Sequence, residues 1–457
     1  MTAASARAGD DESARAAGPA VAERPGTGLG RRIQAGFSWT LLARVAATAA
    51  SVASAILLAR VLGPAQYGLL PSATSILTLF VLFADVGVST SVSRHVAVAY
   101  YRDPRAIPRL LARGLALKAG LVLGLGGAMA LFSGPIADAM GDAALRPVLL
   151  VAAAQLAGDG LAQFGFRAFQ GLHRAGHLAF ASAISGVLSP VLAGAAAIAG
   201  LGAAGAIGGR GLGALVAAGY ALAVVGRLAR EAATGAPTEV APAEAGTGSI
   251  LRYGLALFVV HASWFVLFRA DVLVVQAFCG TRDVSFYSVP FTAVEKAMLP
   301  ALSLATVIAP YFAGACDAAR RPELRRVLGR AARWTLLAYT PLAVALAILA
   351  GPLVSLLFGP DYAPAARILR YYAPLTVAIA LANVFGSVLD YLGLARRRAA
   401  IFALFAALDL GLNLVLVPRY GPIGAVASAW AAIPPLAVAY VAIARRELRG
   451  GPGAPRG

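Results

Sequence analysis

Nine ionisable side chains within the long apolar runs of this 457-residue sequence are the candidates for chemistry. Five are bases, Arg44, Lys118, Arg210, Arg269 and Lys296, and four are acids, Asp85, Asp271, Glu295 and Asp409. A charge surrounded by hydrocarbon costs about 3 kcal/mol or more unless it faces protein or water, so each is a functional candidate by default. The bases make a cationic set suited to a pyrophosphate: arginine offers planar paired donors and lysine a compact charge, both strengthened where water is scarce. The acids admit two uses. They neutralise buried bases, as Glu295 beside Lys296 suggests, although neighbours on a helix point about 100° apart. Alternatively they hold a coupling proton or Na⁺. No nucleophile and base, phosphate-cradling glycine loop or metal-ligand spacing is present, so the chain reads as no enzyme and calls for no cofactor or metal.

Polar residues accompany these charges at helical spacing. Thr40, Arg44, Thr48, Ser51 and Ser54 form one stripe; Thr74, Thr78, Asp85 and Ser89 form a second; Ser285, Ser288, Thr292, Lys296, Ser303 and Thr306 form a third. A helix lining a wet cavity needs such a stripe and one facing only lipid does not. The alternative is that the hydroxyls bond their own backbone or hold neighbouring helices together. Lys118 lies about 13 Å into its span, too deep to reach the interface easily. Arg370 suits an interfacial anchor.

The elements that must carry these residues are membrane helices. Hydrophobic residues are 59% of the chain and charged ones 13%, with a mean hydropathy of +0.76. Soluble domains carry about 25% charged residues. Twelve apolar spans are predicted, at about 35–60, 67–93, 109–132, 144–167, 175–199, 203–226, 250–278, 284–311, 329–350, 364–390, 398–417 and 421–444. The net charge of +18 falls mostly on alternate connections, so it reflects membrane orientation and not nucleic-acid binding. That alternation places both termini in the cytoplasm. The expected organisation is a cytoplasmic tail (1–33), a first lobe (34–226), a Pro/Gly-rich linker (227–248), a second lobe (249–445) and a final tail (446–457).

The halves echo one another. "YGLLPSA" (67–73) matches "YSVPFTA" (287–293), "QGLHR" (170–174) matches "LGLAR" (392–396), and "LGAAGAIG" (201–208) matches "YGPIGAVA" (420–427). Gly280 answers Gly63 at the same turn. Equivalent helices are separated by an even number of spans, so the repeat is parallel, its axis along the membrane normal. The fold expected is an all-α integral membrane protein, with twelve transmembrane helices in two six-helix lobes around a central cavity. Pro71, Pro290, Pro300 and Pro310 are expected to interrupt the second and eighth spans.

"LLARVLGPAQYGLLPSATSILTLFVLFADVGVSTSVSRHVA" (57–97) resembles the first hairpin of polysaccharide flippases in the multidrug/oligosaccharidyl-lipid/polysaccharide exporter superfamily. "FRADVLVVQAFCG" with "FYSVPFTAVEK" resembles the opening of the second lobe, and "FGPDYAPAARILRYYAPL" and "YGPIGAVASAW" resemble the tenth and twelfth helices. The resemblance implies alternating-access transfer of a polyprenyl-pyrophosphate-linked oligosaccharide from the inner to the outer leaflet of a bacterial cytoplasmic membrane. Membrane lipids, and proteins that assemble surface polysaccharide, would be its partners. A multidrug extruder of the same superfamily is the alternative, disfavoured because cationic drugs suit an acidic cavity. A membrane-embedded polymerase or glycosyltransferase is a second, disfavoured because no sizeable extramembrane loop is present.

Overall fold

The computed structural model describes residues 28–234, 247–308, 312 and 321–449, and among them there is no strand. Residues 1–27, 235–246 and 450–457, most of the two expected tails and of the linker, lie outside what is described, as do Pro310 and the side chain of Arg44.

The first lobe contains α1 (Gly28–Tyr67), α2 (Leu69–Asp85), α3 (Val88–Arg102), α4 (Ile107–Leu131), α5 (Ser133–Ala139), α6 (Leu145–Gly171), α7 (Ala175–Ile198) and α8 (Gly202–Thr234). The second contains α9 (Thr247–Cys279), α10 (Thr281–Ala297), α11 (Leu299–Ile308), α12 (Arg321–Ile348), α13 (Ala350–Phe358), α14 (Ala363–Tyr372), α15 (Leu375–Tyr391), α16 (Ala395–Tyr420) and α17 (Pro422–Arg449). Among the described residues nine helices are long and apolar enough to cross a membrane, and the bent pairs α2/α3 and α14/α15 bring the number to eleven. The pair α10/α11 occupies the eighth predicted span. Ser285, Ser288 and Tyr287 on α10 are buried against protein, so its polar face is hidden from lipid.

The breaks have local causes. α2 and α3 meet at 42°, where Val86 and Gly87 take left-handed conformations. Pro71, expected to interrupt this span, instead sits in the first turn of α2, where its missing N–H costs no helical bond. Pro300 behaves as expected: α10 stops at Ala297 and α11 restarts just ahead of it. Pro374 caps α15 at the 53° bend from α14.

The repeat is visible in the backbone. Gly63 (φ 67°, ψ 171°) and Gly280 (φ 87°, ψ 174°) share a conformation essentially reserved for glycine. Gly202 and Gly421 match again at φ 63° and 62°. At the third echo the letters mislead. His173 and Gly393 both have positive φ, each two residues before its helix, which puts the structural register at 220 instead of the 222 read from the residue types. The short helices α5 and α13, unforeseen in the sequence, are also equivalent. Within the first lobe, Gly209 and Gly213 bring α8 against α7, since an added Cβ would lie 2.5 Å from Leu192 and from Ser189.

The lobes meet most closely at the end carrying Gly63 and Gly280, the hinge end. There a Cβ on Gly68 would lie 1.9 Å from the Thr281 carbonyl oxygen. Ser72 Oγ donates to Gln276 Oε1 at 2.6 Å, Gln276 Nε2 to the Met140 carbonyl at 3.3 Å, and Thr281 Oγ1 to Asp142. Arg60 Nε donates to the Leu357 carbonyl at 2.8 Å, and its Nη2 to that of Leu356, capping α13 from the other lobe. Tyr362 Oη donates to the Ala59 carbonyl at 3.1 Å. Farther along the seam Phe83 and Phe258 pack with ring centroids 5.4 Å apart.

Candidate functional site

The seam between these two contacts carries the charges. On α2, Thr74 lies between Gly68 and Phe83; on α9, Arg269 lies between Phe258 and Gln276. α8 delivers Arg210, whose Nη1 is 3.5 Å from Thr74 Oγ1. Arg210 is also close enough to Tyr67, Asp159 and Arg269 to interact with each electrostatically. Asp159, on α6, accepts from Gln155 Nε2 at 3.0 Å. The sequence reading passed over this acid, although Gln155 and Asp159 stand one helical turn apart inside a predicted span.

Arg269 faces Arg210 from the second lobe. Its Nη2 lies 3.3 Å from Glu295 Oε2, and the guanidinium sits over the Phe291 ring at 5.4 Å. The two guanidiniums thus come to the seam from opposite lobes, each with an acid near it, Asp159 for Arg210 and Glu295 for Arg269. Lys296, half-buried on α10, has no ion-pair partner among the described residues.

Lys118 is placed differently. It is fully buried inside the first lobe, with Nζ 2.6 Å from Asp85 Oδ1 and 3.5 Å from Gln163 Oε1. Ser89 Oγ also donates to Asp85. Asp85 ends α2 and Ser89 lies in the first turn of α3, so this bond spans the Val86–Gly87 break. Lys118 thus closes a pair between α2 and α4 and does not line the seam.

Asp271 and Asp409 make a third cluster, within the second lobe. Asp271 is buried, accepts from the Val272 N–H at 2.8 Å and receives the Tyr287 hydroxyl. Asp409 on α16 accepts from Asn413 Nδ2 at 3.1 Å and interacts with Asp271 electrostatically. Asp409 Oδ1 and Asn413 Oδ1 are buried with no hydrogen-bond partner among the described residues. The nearest base, Arg269, already holds Glu295. The four acids therefore separate into two that pair with bases, Asp85 and Glu295, and two that do not. No group of three His, Cys, Asp or Glu residues arranged to hold a metal occurs among the described residues.

Residues 33–315, more than half of the chain, match the family model of the polysaccharide biosynthesis proteins. The chain belongs to that family. Residues 256–417 also match the MatE family model. Among solved structures, this family member resembles the lipid II flippase MurJ in an inward closed conformation, with a TM-score of 0.71 at 14% identity over 89% of this chain and 87% of that one. An inward-facing multidrug-resistance MATE transporter gives 0.68 at 16% identity, over 88% and 94%. A superfamily transporter from Pyrococcus furiosus gives 0.61 at 17% identity, over 90% and 93%. These likenesses establish the two-lobed fold of the exporter superfamily. In sequence, the uncharacterized membrane protein MJ1068 of Methanocaldococcus jannaschii is 24% identical over 181 residues, 39% of this chain. That match spans about a third of the relative's length, 35%.

Proposed function

We propose that this exporter-superfamily protein moves a polyprenyl-pyrophosphate-linked oligosaccharide from the inner to the outer leaflet of a bacterial cytoplasmic membrane, by alternating access and with both termini cytoplasmic. The observation that carries the reading is that each lobe brings one guanidinium to the seam, Arg210 beside Thr74 and Arg269 beside Glu295. A dianionic head group placed between them competes with Asp159 and Glu295 for the two guanidiniums and gains a charge-assisted contact with each. Lys296 adds to the cationic set, as does Arg44, whose side chain lies outside the described residues, while the polyprenyl chain stays in lipid. Lys118 serves the site indirectly, by fixing the α2/α3 break beside it.

Closing the lobes on a bound pyrophosphate, and opening them at the other end after transfer, needs an energy source. Asp271 and Asp409 are suited to supply it. Two neighbouring carboxylates with unpartnered oxygens around them are relieved by taking up a proton or Na⁺, so an ion gradient acts on the second lobe through them. A seam rich in arginine favours an anionic head group over a cationic drug.

The test is transport in proteoliposomes loaded with fluorescent lipid-linked oligosaccharide. Arg210→Gln/Arg269→Gln is expected to lose about 100-fold in initial rate, the loss of two charge-assisted contacts of about 1.5 kcal/mol each or slightly less. Unchanged flipping by this variant at equal reconstitution, or efflux of cationic dyes by the native protein in place of flipping, would refute the proposal.

A further inference from the structure

A second basic feature lies at the hinge end, away from the seam. A groove of about 500 Å³ runs between α13 and α14, lined by Gly351, Ser355, Arg367, Arg370 and Tyr371 among others. Arg367 and Arg370 are three apart on α14 and so lie on one face of it. Both are exposed, and neither has a hydrogen-bond or ion-pair partner among the described residues. Asp361, in the turn leading into α14, pairs with neither. Gly351 keeps the wall beside them low: the nearest atom to an added Cβ would be Arg370 Nη2, 3.5 Å away.

The surroundings of the groove are greasy. Leu356 on α13 is 71% exposed and Tyr371 on α14 is 50% exposed. Trp430 on α17 is 43% exposed, and its indole N–H donates to the Tyr371 carbonyl at 2.9 Å. Tryptophan and tyrosine of this kind sit at the level of lipid head groups, with apolar residues below them in acyl chain. Hinge-end connections carry few positive charges in this sequence, so two adjacent unpaired arginines there are not the general excess that orients a membrane protein.

We infer that the α13/α14 groove binds a phosphate group, and that the phosphate belongs to a membrane lipid of the hinge-end leaflet. The guanidinium pair grips the phosphate oxygens through charge-assisted hydrogen bonds, Ser355 adds a hydroxyl donor, and the acyl chains run down past Leu356 and Tyr371. A free phosphate ion shares the chemistry of the head group but makes no use of the apolar rim. The site is independent of the transport assignment, because Ser355, Arg367 and Arg370 make none of the contacts between the lobes described above.

Hydrogen–deuterium exchange in nanodiscs tests it, since the readout is confined to residues 350–372. In equal parts of phosphatidylglycerol and phosphatidylcholine, this segment is expected to exchange about tenfold more slowly than in phosphatidylcholine alone, as a paired charge-assisted contact provides. Arg367→Gln/Arg370→Gln abolishes that protection, and Arg367→Lys/Arg370→Lys keeps part of it. Arg330→Gln, on α12 and outside the groove, leaves it intact. Protection by inorganic phosphate in phosphatidylcholine discs, without any by phosphatidylglycerol, would sink the lipid as the source while leaving the phosphate site. Equal exchange under all three conditions, or protection that survives Arg367→Gln/Arg370→Gln, overturns the proposal.

Discussion

The two lobes repeat one backbone and differ in how they treat buried charge. In the first, Asp85 holds Lys118 at 2.6 Å, and Asp159 has Gln155 bonded to it and Arg210 close by. In the second, Asp271 and Asp409 lie close together without a base of their own, beside unpartnered oxygens of Asp409 and Asn413. The helices diverge in step. α6 runs unbroken from Leu145 to Gly171, whereas its counterpart is divided into α14 and α15 by a 53° bend. The first lobe pairs its buried acids and keeps α6 straight; the second leaves two acids without a base and bends the counterpart of α6. Duplication preserved the turns, which depend on glycine, and left the charges free to specialise.

The sharpest way to break this contrast is at Lys118. Lys118→Met leaves Asp85 buried without its partner and is expected to cost about 3 kcal/mol of stability, read as a lower melting temperature in detergent. Asp85→Asn/Lys118→Met together should recover most of that loss. If the single variant is harmless, the first lobe is not held by this pair. Gly68→Ala comes next, at about 2 kcal/mol, because the new methyl group meets the Thr281 carbonyl and must push the lobes apart. Thiol labelling of a cysteine placed at Ser72 should then rise. Asp409→Asn should change stability by no more than about 1 kcal/mol, since it removes one of two mutually repelling carboxylates. The same variant should nevertheless abolish the response of transport to a proton or Na⁺ gradient. A loss of stability as large as that of Lys118→Met would erase the distinction between lobes. Smallest is Arg60→Gln, at about 0.5 kcal/mol, because its bonds to α13 are exposed to solvent or head groups.

The fold was largely legible in the residues. Span lengths and the echoed turns led to helices in the expected order, with ends displaced by up to nine residues, because hydrocarbon thickness and backbone satisfaction leave a membrane chain few choices. Short features escaped. α5 and α13 are too brief to stand out against apolar neighbours, and the α2/α3 break is set by Val86 and Gly87 where Pro71 was the louder signal. The site was legible only as a set of residue types. Hydropathy tells that Lys118 and Arg269 are both embedded; it does not tell that one is closed inside a lobe and the other faces the seam. That distinction depends on which helix each side chain points toward, and the rotation of a helix about its axis is fixed by packing. Asp159 was missed for a related reason. A single acid among Ala, Gly and Leu draws little notice until Arg210 is seen beside it.

The hinge-end latch has a history written in its geometry. α2 lies against α9 and α1 against α10, and since α1 corresponds to α9 and α2 to α10, each contact is the mirror of the other. Such reciprocity is the mark of a two-fold dimer, where a single patch recognises itself. In a symmetric dimer built on such a surface, every substitution would count twice. Within one chain the two copies of the surface need not match residue for residue, and Gly68 on one side nests against Thr281 on the other.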